Sequence, residues 1–460
     1  MSITDTIFAL ATPVGQSAIA IIRISGAKAH ELLFHFGVSK VIVKDKPIAK
    51  YQRLIGIGGE IIDDVMLVLF PHQHSPTGEK ITEIQCHGSQ AVIQKILNHL
   101  AEIEGMRPAQ PGEFSRRSFN NGKIGLMDLE GVSDLIEART SRQHLQAMNL
   151  MTGKLSSKLS LYREKLISLS SRLETAIDFS DEDLPEDVIR DLATTIRHLR
   201  NQILQLIEDS KYAEQIREGV KIALIGPVNV GKSTILNALA KREVAIVSSI
   251  AGTTRDVLEV QLNLDGIAVK LTDTAGIRQT EDLIETEGIK RAKDVAENSD
   301  LVLLVLDVSN PNWQELLNYF KTWHLTRQLV VLNKVDLIDK NELEHSLNSR
   351  EFSIALKSDW LIISFHKQNG ADILIKKLTE ILSYINQTTS DIRLARSWHK
   401  TACLSASSAL GRAMMLNSEE EPELVAEELR LACDALGRLT GQVDVDELLD
   451  KIFSNFCIGK

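Results

Sequence analysis

GPVNVGKS, residues Gly226–Ser233, is the stretch on which the reading of this chain turns. It fits G-x-x-x-x-G-K-[ST], the loop that cradles phosphates. KIALI (Lys221–Ile225) precedes it and reads as a buried strand, and STILNALAK (Ser233–Lys241) follows and reads as a helix. In that setting the glycines let successive backbone N–H groups face phosphate oxygens, and the helix N-terminus adds the positive end of its dipole. Asn229, Val230, Gly231, Lys232, Ser233 and Thr234 are therefore candidate nucleotide contacts. Lys232 brings a point charge to the outer phosphates, and Ser233 offers a hydroxyl to Mg2+.

Two further motifs follow in order, each after an apolar strand. AVKLTDTAG (Ala268–Gly276) ends a strand at Asp273, which can hold Mg2+ through water; Thr274, Ala275 and Gly276 follow, and the Gly276 amide can meet a γ-phosphate. QLVVLNKVD (Gln328–Asp336) ends in Asn333, Lys334, Val335 and Asp336. The Asp336 carboxylate can accept from guanine N1–H and the 2-amino group together. Adenine offers neither, so it would leave the charge unpaired, and GTP is expected over ATP. A third base-contacting motif, S-A-K, is degenerate here: WLIISFHKQNG (Trp360–Gly370) supplies Ser364, then Phe365 and His366. Only backbone contacts are expected there, with weaker guanine affinity.

Hydrolysis of a γ-phosphate needs positive charge, and an arginine finger supplies about 10³–10⁵-fold, roughly 4–7 kcal/mol. Many GTPases also place a water-orienting glutamine just after D-T-A-G; here that position is Ile277. The missing charge can come from a monovalent cation at Asn229, although this amide can equally bond its own loop. SSIAGTTRD (Ser248–Asp256) reads as a switch whose carbonyls and hydroxyls could complete the cation's shell. Ser248, Ser249, Ile250, Ala251, Gly252, Thr253 and Thr254 are its candidate nucleotide contacts, with Thr253 or Thr254 also able to serve Mg2+. For the water, Glu281, Asp282, Glu285 and Glu287 are open alternatives, and an acidic helix start favoured by the helix dipole explains them as well.

The length of 460 residues suggests about three domains, and 43% hydrophobic with 25% charged residues suits ordinary globular cores. A net charge of −10 argues against coating RNA by bulk electrostatics; RNA contact would need a local patch or a partner's basic surface. Met1–Val14 does not read as a secretory signal, and the longest apolar run, Leu301–Leu306, is too short to span a bilayer. Cys86, Cys403, Cys433 and Cys457 are scattered without C-x-x-C, so neither zinc nor a disulfide framework is indicated, and a cytoplasmic location without stable membrane association is expected.

The expected fold is multi-domain. Residues 1–120 read as α+β, with strands IAIIRIS, EIIDDVMLVLF and TEIQCHG and a helix AVIQKILNHLAEIEG. Residues 121–215 and 383–460 read as one discontinuous helical domain, into which an α/β P-loop GTPase domain, 216–382, is inserted.

Four stretches outside the GTPase region carry a resemblance: IIRISG (Ile21–Gly26), EIQCHG (Glu83–Gly88), RPAQPGEFSRRSFNNGKIGLMDLEGVSDLIEA (Arg107–Ala138) and the terminal FCIGK (Phe456–Lys460). Together they resemble the tRNA modification GTPase family MnmE, or TrmE, over essentially the full length. The resemblance implies a folate-binding-like N-terminal domain that forms a homodimer. It implies a 5-formyl- or 5,10-methylenetetrahydrofolate near Arg23, Glu83, Lys123 and Lys460. It implies a heterotetramer with a flavin-dependent MnmG-type partner, adding an aminomethyl or carboxymethylaminomethyl group at C5 of the tRNA wobble uridine, U34. It further implies K+ in place of the finger, held by Asn229, Ser248, Ile250 and Thr253 as two GTPase domains meet, with Mg2+ at Ser233 and Thr254. D-x-x-E-x-x-G aligns Asp282, Glu285 and Gly288 and selects Glu285 as the catalytic, water-orienting residue; Arg278 becomes a switch residue. Cys457, beside the tail, becomes a candidate for catalysis or redox chemistry. The chain departs from the family at Gly125, where an aspartate is usual, and at Ser248, where threonine is usual.

Taken without the resemblance, Arg23 is a structural ion-pair residue, Glu83 a solvated strand edge, and Arg107, Arg116 and Arg117 either an anion or RNA patch or a solvated face. Two rival functions share the GTPase motifs: a ribosome-assembly or signalling GTPase that binds RNA without modifying it, and a stand-alone folate-dependent methyltransferase with a regulatory GTPase.

Overall fold

The computed structural model describes residues 5–39, 42–178, 186–246, 259–273, 285–323, 325, 327–339, 359–365, 369–387, 392–417, 420–441 and 459. The chain forms two compact units. One comprises Met1–Ser133, Leu150–Arg200 and Ser405–Lys460, the other Asp134–Asn149 and Asn201–Leu404.

In the first unit, strands β1 (Thr6–Leu10), β2 (Ser17–Ser25), β3 (Ile48–Ile55), β4 (Ile61–Phe70), β5 (Ile81–Gly88) and β6 (Met106–Pro108) form a sheet in the order β3-β4-β5-β2-β1-β6. It is antiparallel except for the β1–β6 pair. Alternation sets its two faces: Ala20, Ile22 and Ile24 of β2 and Ile84 and Cys86 of β5 are buried in one core cluster. Helix α1 (Gln90–Ala101) adds Ile93, Ile96 and Leu100 to that cluster at helical spacing. The intervening residues Arg23 and Glu83 are directly opposite one another on the other face.

Helices α2 (Glu113–Asn120), α3 (Leu126–Glu137), α4 (Ser141–Met151), α5 (Lys154–Asp178) and α6 (Glu186–Asp209) follow. On α5 the buried residues Leu155, Leu159, Tyr162, Leu166, Leu169 and Leu173 alternate in steps of four and three, a seam suited to packing along a second helix. That helix comes from much later in the chain, and it buries Val425, Leu429, Ala432, Leu436 and Leu439 (Pro422–Thr440, numbered α13 below).

A half-buried polar network fastens α2 to the sheet. Arg117 donates to Glu79 (3.0 Å), Glu113 (3.1 Å) and the Asp5 carbonyl (2.8 Å), and Arg107 donates to Glu113 (2.6 Å). Arg107 and Arg117 are thus engaged by acids rather than forming an open anion patch. Burial alone would push the Glu113 carboxyl up. Hydrogen bonds from Arg107, the Gln110 N–H and Arg117 outweigh it and hold the group down at about 2. A depressed carboxylate stabilises the fold fully above its unfolded value of about 4.5 and loses that contribution as pH falls towards about 2. The ceiling on this contribution is about 3 kcal/mol. Denaturation of Glu113→Gln beside the parent should therefore show the largest stability gap at pH 7, narrowing as pH falls from 4.5 to 3. A gap independent of pH would contradict the assignment.

In the second unit, α7 (Ala213–Glu218) leads into a sheet of β7 (Val220–Ile225), β8 (Glu259–Leu264), β9 (Ile267–Asp273), β10 (Leu301–Asp307), β11 (Gln328–Asn333) and β12 (Asp359–Ile362), ordered β12-β11-β10-β7-β9-β8. All neighbours are parallel except β8 and β9. Its central strands are apolar on both faces, as buried parallel strands must be. Ile222 and Leu224 enter one core with Leu303 and Val331, and Ala223 and Ile225 enter the other with Leu304 and Leu332. Helices α8 (Lys232–Ala240), α9 (Glu285–Glu297), α10 (Trp313–Lys321) and α11 (Gly370–Leu382) accompany these strands. α12 (Ser397–Ala413) and α13 complete the described helices.

Candidate functional site

The register of the parallel strands brings their carboxyl ends to one edge: Leu224 pairs with Asp273, Ile225 with Leu304, Asp307 with Asn333 and Leu332 with Ile362. Loops leaving that edge are where open α/β sheets place ligands. The loop Gly226–Gly231 leaves β7 there and enters α8.

Its glycines are demanded by space. A Cβ on Gly226 would lie 2.1 Å from the Val305 carbonyl oxygen, and one on Gly231 would lie 2.6 Å from Asn333 Nδ2. Asn229 adopts a left-handed φ of 64°, which asparagine tolerates better than most residues. Lys232, the first residue of α8, is only 6% exposed; its Nζ donates to the Gly226 carbonyl (2.6 Å) and the Pro227 carbonyl (2.7 Å). Burial lowers its pKa, against a raising influence from the Asp273 carboxylate. Asp273 is itself 1% exposed. Ser233 and Thr234 are exposed on the first turn of α8.

The N-K-V-D motif braces this loop from β11. Asn333 donates from Nδ2 to the Val230 carbonyl (2.8 Å), and its buried Oδ1 has no hydrogen-bond partner among the described residues. Lys334, also left-handed at φ 64°, donates to the Asn229 carbonyl (2.8 Å) and to Asp307 (2.7 Å). Burial would raise the Asp307 pKa, but Lys334 and Ser309 hydrogen bonds hold it below the usual carboxylate range. Sequence reading missed Asp307; an acid closing the apolar run Leu301–Leu306 was the available signal. Val335 is half-buried and Asp336 exposed. Ser364 is buried beyond β12, followed by the half-buried Phe365. A Cβ on Gly370 at the start of α11 would lie 2.5 Å from the Ser364 carbonyl oxygen, so a glycine lets helix and motif approach.

Other expected residues fall elsewhere. Glu285 opens α9, and its side chain lies outside the described positions. Ser248, Ser249, Ile250, Ala251, Gly252, Thr253, Thr254, Thr274, Ala275, Gly276, His366, Cys457 and Lys460 all lie outside the described residues.

In the first unit Arg23 Nε donates to Glu83 Oε1 (2.9 Å), Arg23 Nη1 donates to the Gly459 carbonyl (3.3 Å), and the guanidinium lies 6.0 Å from the centre of the Phe114 ring. The structural ion pair is thus present. Gly459 is buried with φ 100°, and a Cβ there would come 2.4 Å from the Leu10 carbonyl oxygen. This glycine therefore lets the backbone at 459 approach the end of β1. Lys123 is exposed and donates to the Gln73 carbonyl (3.1 Å).

Two family profiles match the chain. One, described as the GTP-binding protein TrmE N-terminus, covers residues 6–123, and the other, the MnmE helical domain, covers 126–457. The tRNA modification GTPase MnmE of Pelagibacter ubique is 39% identical over 456 residues, spanning 99% of this chain and 100% of its own. That of Cereibacter sphaeroides is 38% identical over 458 residues, again 99% and 100%. The chain belongs to the MnmE family of tRNA modification GTPases. As an MnmE family member it is a GTPase, and the edge built by Gly226–Gly231, Lys232, Asn333 and Lys334 is where a P-loop GTPase holds its nucleotide.

One departure from the MnmE pattern has a local explanation. A Cβ at Gly125 would stand 3.0 Å from Asp128 Oδ2, and Asp128 accepts from Ser156 (2.5 Å). An aspartate at 125 would set a second carboxylate against that one. No helix among the described residues is long and apolar enough to cross a membrane.

Proposed function

We propose that this GTPase is the GTP-hydrolysing component of C5 modification of the tRNA wobble uridine, acting as a cytoplasmic homodimer. It works in a heterotetramer with a flavin-dependent MnmG-type partner and a tetrahydrofolate one-carbon donor. The reading rests on one observation above all: the phosphate loop and the base-reading motif are joined by Asn333 and Lys334 in a chain whose family resemblance runs end to end. The three-part division is proposed with it: residues 1–120 for folate and dimerisation, 121–215 and 383–460 helical, and 216–382 the GTPase domain.

The donors suit the groups assigned to them. The exposed Ser233 hydroxyl and the buried Asp273 carboxylate are hard oxygen donors at one edge, fit for Mg2+, with Thr254 as the further ligand. When bound, Mg2+ neutralises charge developing on the phosphates. The Asn229 side-chain amide is exposed and has no hydrogen-bond partner among the described residues, so the loop itself does not use it up. That supports Asn229, with Ser248, Ile250 and Thr253, as the K+ shell. Glu285 stands at the head of α9 as the water-orienting acid, and Cys457 as a residue of the uridine chemistry.

For folate, one oxygen of Glu83 is held by Arg23, leaving the other to accept from a pterin N–H, while Lys123 and Lys460 can meet the anionic tail.

Nucleoside mass spectrometry of tRNA from cells lacking the gene should show loss of the C5-modified wobble uridine. An unchanged profile would leave an RNA-binding GTPase instead. Product formed from folate and tRNA without the flavoprotein would point to the stand-alone methyltransferase. Turnover in KCl should exceed that in NaCl at equal ionic strength by more than about tenfold, and equal rates would remove Asn229 from its role.

A further inference from the structure

Helix α5 is continuous from Lys154 to Asp178, and each residue of an α-helix turns about 100° from the one before it. Lys154, Lys158, Lys165 and Arg172 stand four, seven and seven residues apart. Those steps bring all four cations into an arc of about 40°, along about 27 Å of helix. The row lies about a quarter-turn around α5 from the buried seam of Leu155, Leu159, Tyr162, Leu166, Leu169 and Leu173. The helical positions of the acids of α5, Glu164, Glu174 and Asp178, all fall at least about 80° outside that arc.

Lys154 and Arg172 are exposed, and Lys158 and Lys165 are half-buried, as long stems lying along a helix with their charged ends in water are. Lys158 and Lys165 make no hydrogen bond or ion pair among the described residues. Arg172 donates to Asp191 of α6 (3.0 Å), but both side chains are well exposed, at 65% and 60%. A pair held so openly contributes little and exchanges readily for another anion. Other exposed cations of this unit are tied by two hydrogen bonds to one carboxylate, as Arg412 is to Glu428 and Arg430 to Glu427. Between the cations of the row stand Leu161, 50% exposed, and the exposed Ser168.

A line of like charges repels itself and is relieved by a line of opposite charge. In a chain of net charge −10, such a row is the kind of local patch that nucleic acid needs. Lysine meets phosphate as a point charge, without a fixed approach, and the Ser168 hydroxyl can donate to a phosphate or sugar oxygen. The row has no aromatic side chain on which a base could stack, so it suits the backbone rather than the bases. We propose that this face of α5 binds the sugar–phosphate backbone of the tRNA substrate, with Lys158 and Lys165 as its principal contacts. The proposal rests on the reading of tRNA as the substrate, and it adds the surface that holds it.

The test uses the full chain and unmodified tRNA, with binding followed by fluorescence anisotropy between about 50 and 200 mM KCl. For the parent, log Kd should rise linearly with log salt. Lys158→Gln combined with Lys165→Gln should lower that slope by about two and weaken binding about tenfold at the low-salt end, equally for different tRNAs. Lys158→Arg combined with Lys165→Arg should keep the slope. GTP turnover without tRNA should stay within about twofold of the parent in both double variants, because neither lysine belongs to the nucleotide edge. An unchanged slope and Kd in the glutamine variant would overturn the proposal. So would intact tRNA binding with lost association to the flavoprotein, which would make this a protein-docking face. A parent that binds no tRNA would also overturn it, while the nucleoside profile of cells lacking the gene judges the wobble-uridine reading on its own.

Discussion

Lys232→Ala is expected to lower GTP turnover at least about 10³-fold, with a marked loss of nucleotide affinity. The side chain is almost fully buried, and its ammonium is stripped of water, donating instead to the Gly226 and Pro227 carbonyls. A charge held in that way is already oriented, so little reorganisation is needed when phosphate charge develops beside it. Removing it takes away the phosphate's preorganised counter-charge and the donor to both loop carbonyls at once. Arginine should not restore the rate, since a planar guanidinium is larger than the ammonium and cannot occupy the same buried point. Single-turnover kinetics with titrated GTP separate the two losses, and a Lys232→Ala protein within tenfold of the parent would refute the placement.

Asp336→Asn is expected to reverse base preference, lowering turnover with GTP at subsaturating concentration by about 10²-fold or more while raising it with xanthosine triphosphate. In the proposed reading the carboxylate would accept from both N1–H and the 2-amino group of guanine. An amide would keep one acceptor but turn an N–H toward the 2-amino group, and two donors would face each other. Xanthine carries a carbonyl there and meets the amide correctly. Asp336 is exposed. Competition between the two triphosphates in one reaction reads the switch directly, and an unaltered preference for GTP would exclude Asp336 from base recognition.

What could be read from the sequence was local chemistry. The phosphate loop, the strand before it and the N-K-V-D motif each lie within a few residues, and the fold brings them to one sheet edge. β2, β4, β5 and α1 were legible because their apolar periodicity is strong. β3 was not: Lys50, Gln52 and Arg53 interrupt its apolar pattern on both faces, and none of its residues from Ile48 to Arg53 is fully buried. The partners of Arg117 were out of reach as well, since Asp5 and Glu79 are brought to it only by the folded sheet. The regular four-three spacing on α5 announced a seam, but nothing near it in sequence identified α13 as its complement. At the second polar site the ion pair of Arg23 and Glu83 was the plain alternative, and the contact of Arg23 with Gly459 depends on a meeting between the first strands and the last residues.

Lys334 gives the nucleotide site an uneven capacity for change. Because its ammonium ties the Asn229 carbonyl to Asp307, while Asn333 holds the Val230 carbonyl, two of the four letters of N-K-V-D brace the loop Gly226–Gly231. Were Asp336 to read the base as proposed, a new purine could be admitted there with both of these ties to the loop in place. At Asn333 and Lys334, altered taste and lost hold would come as a single event.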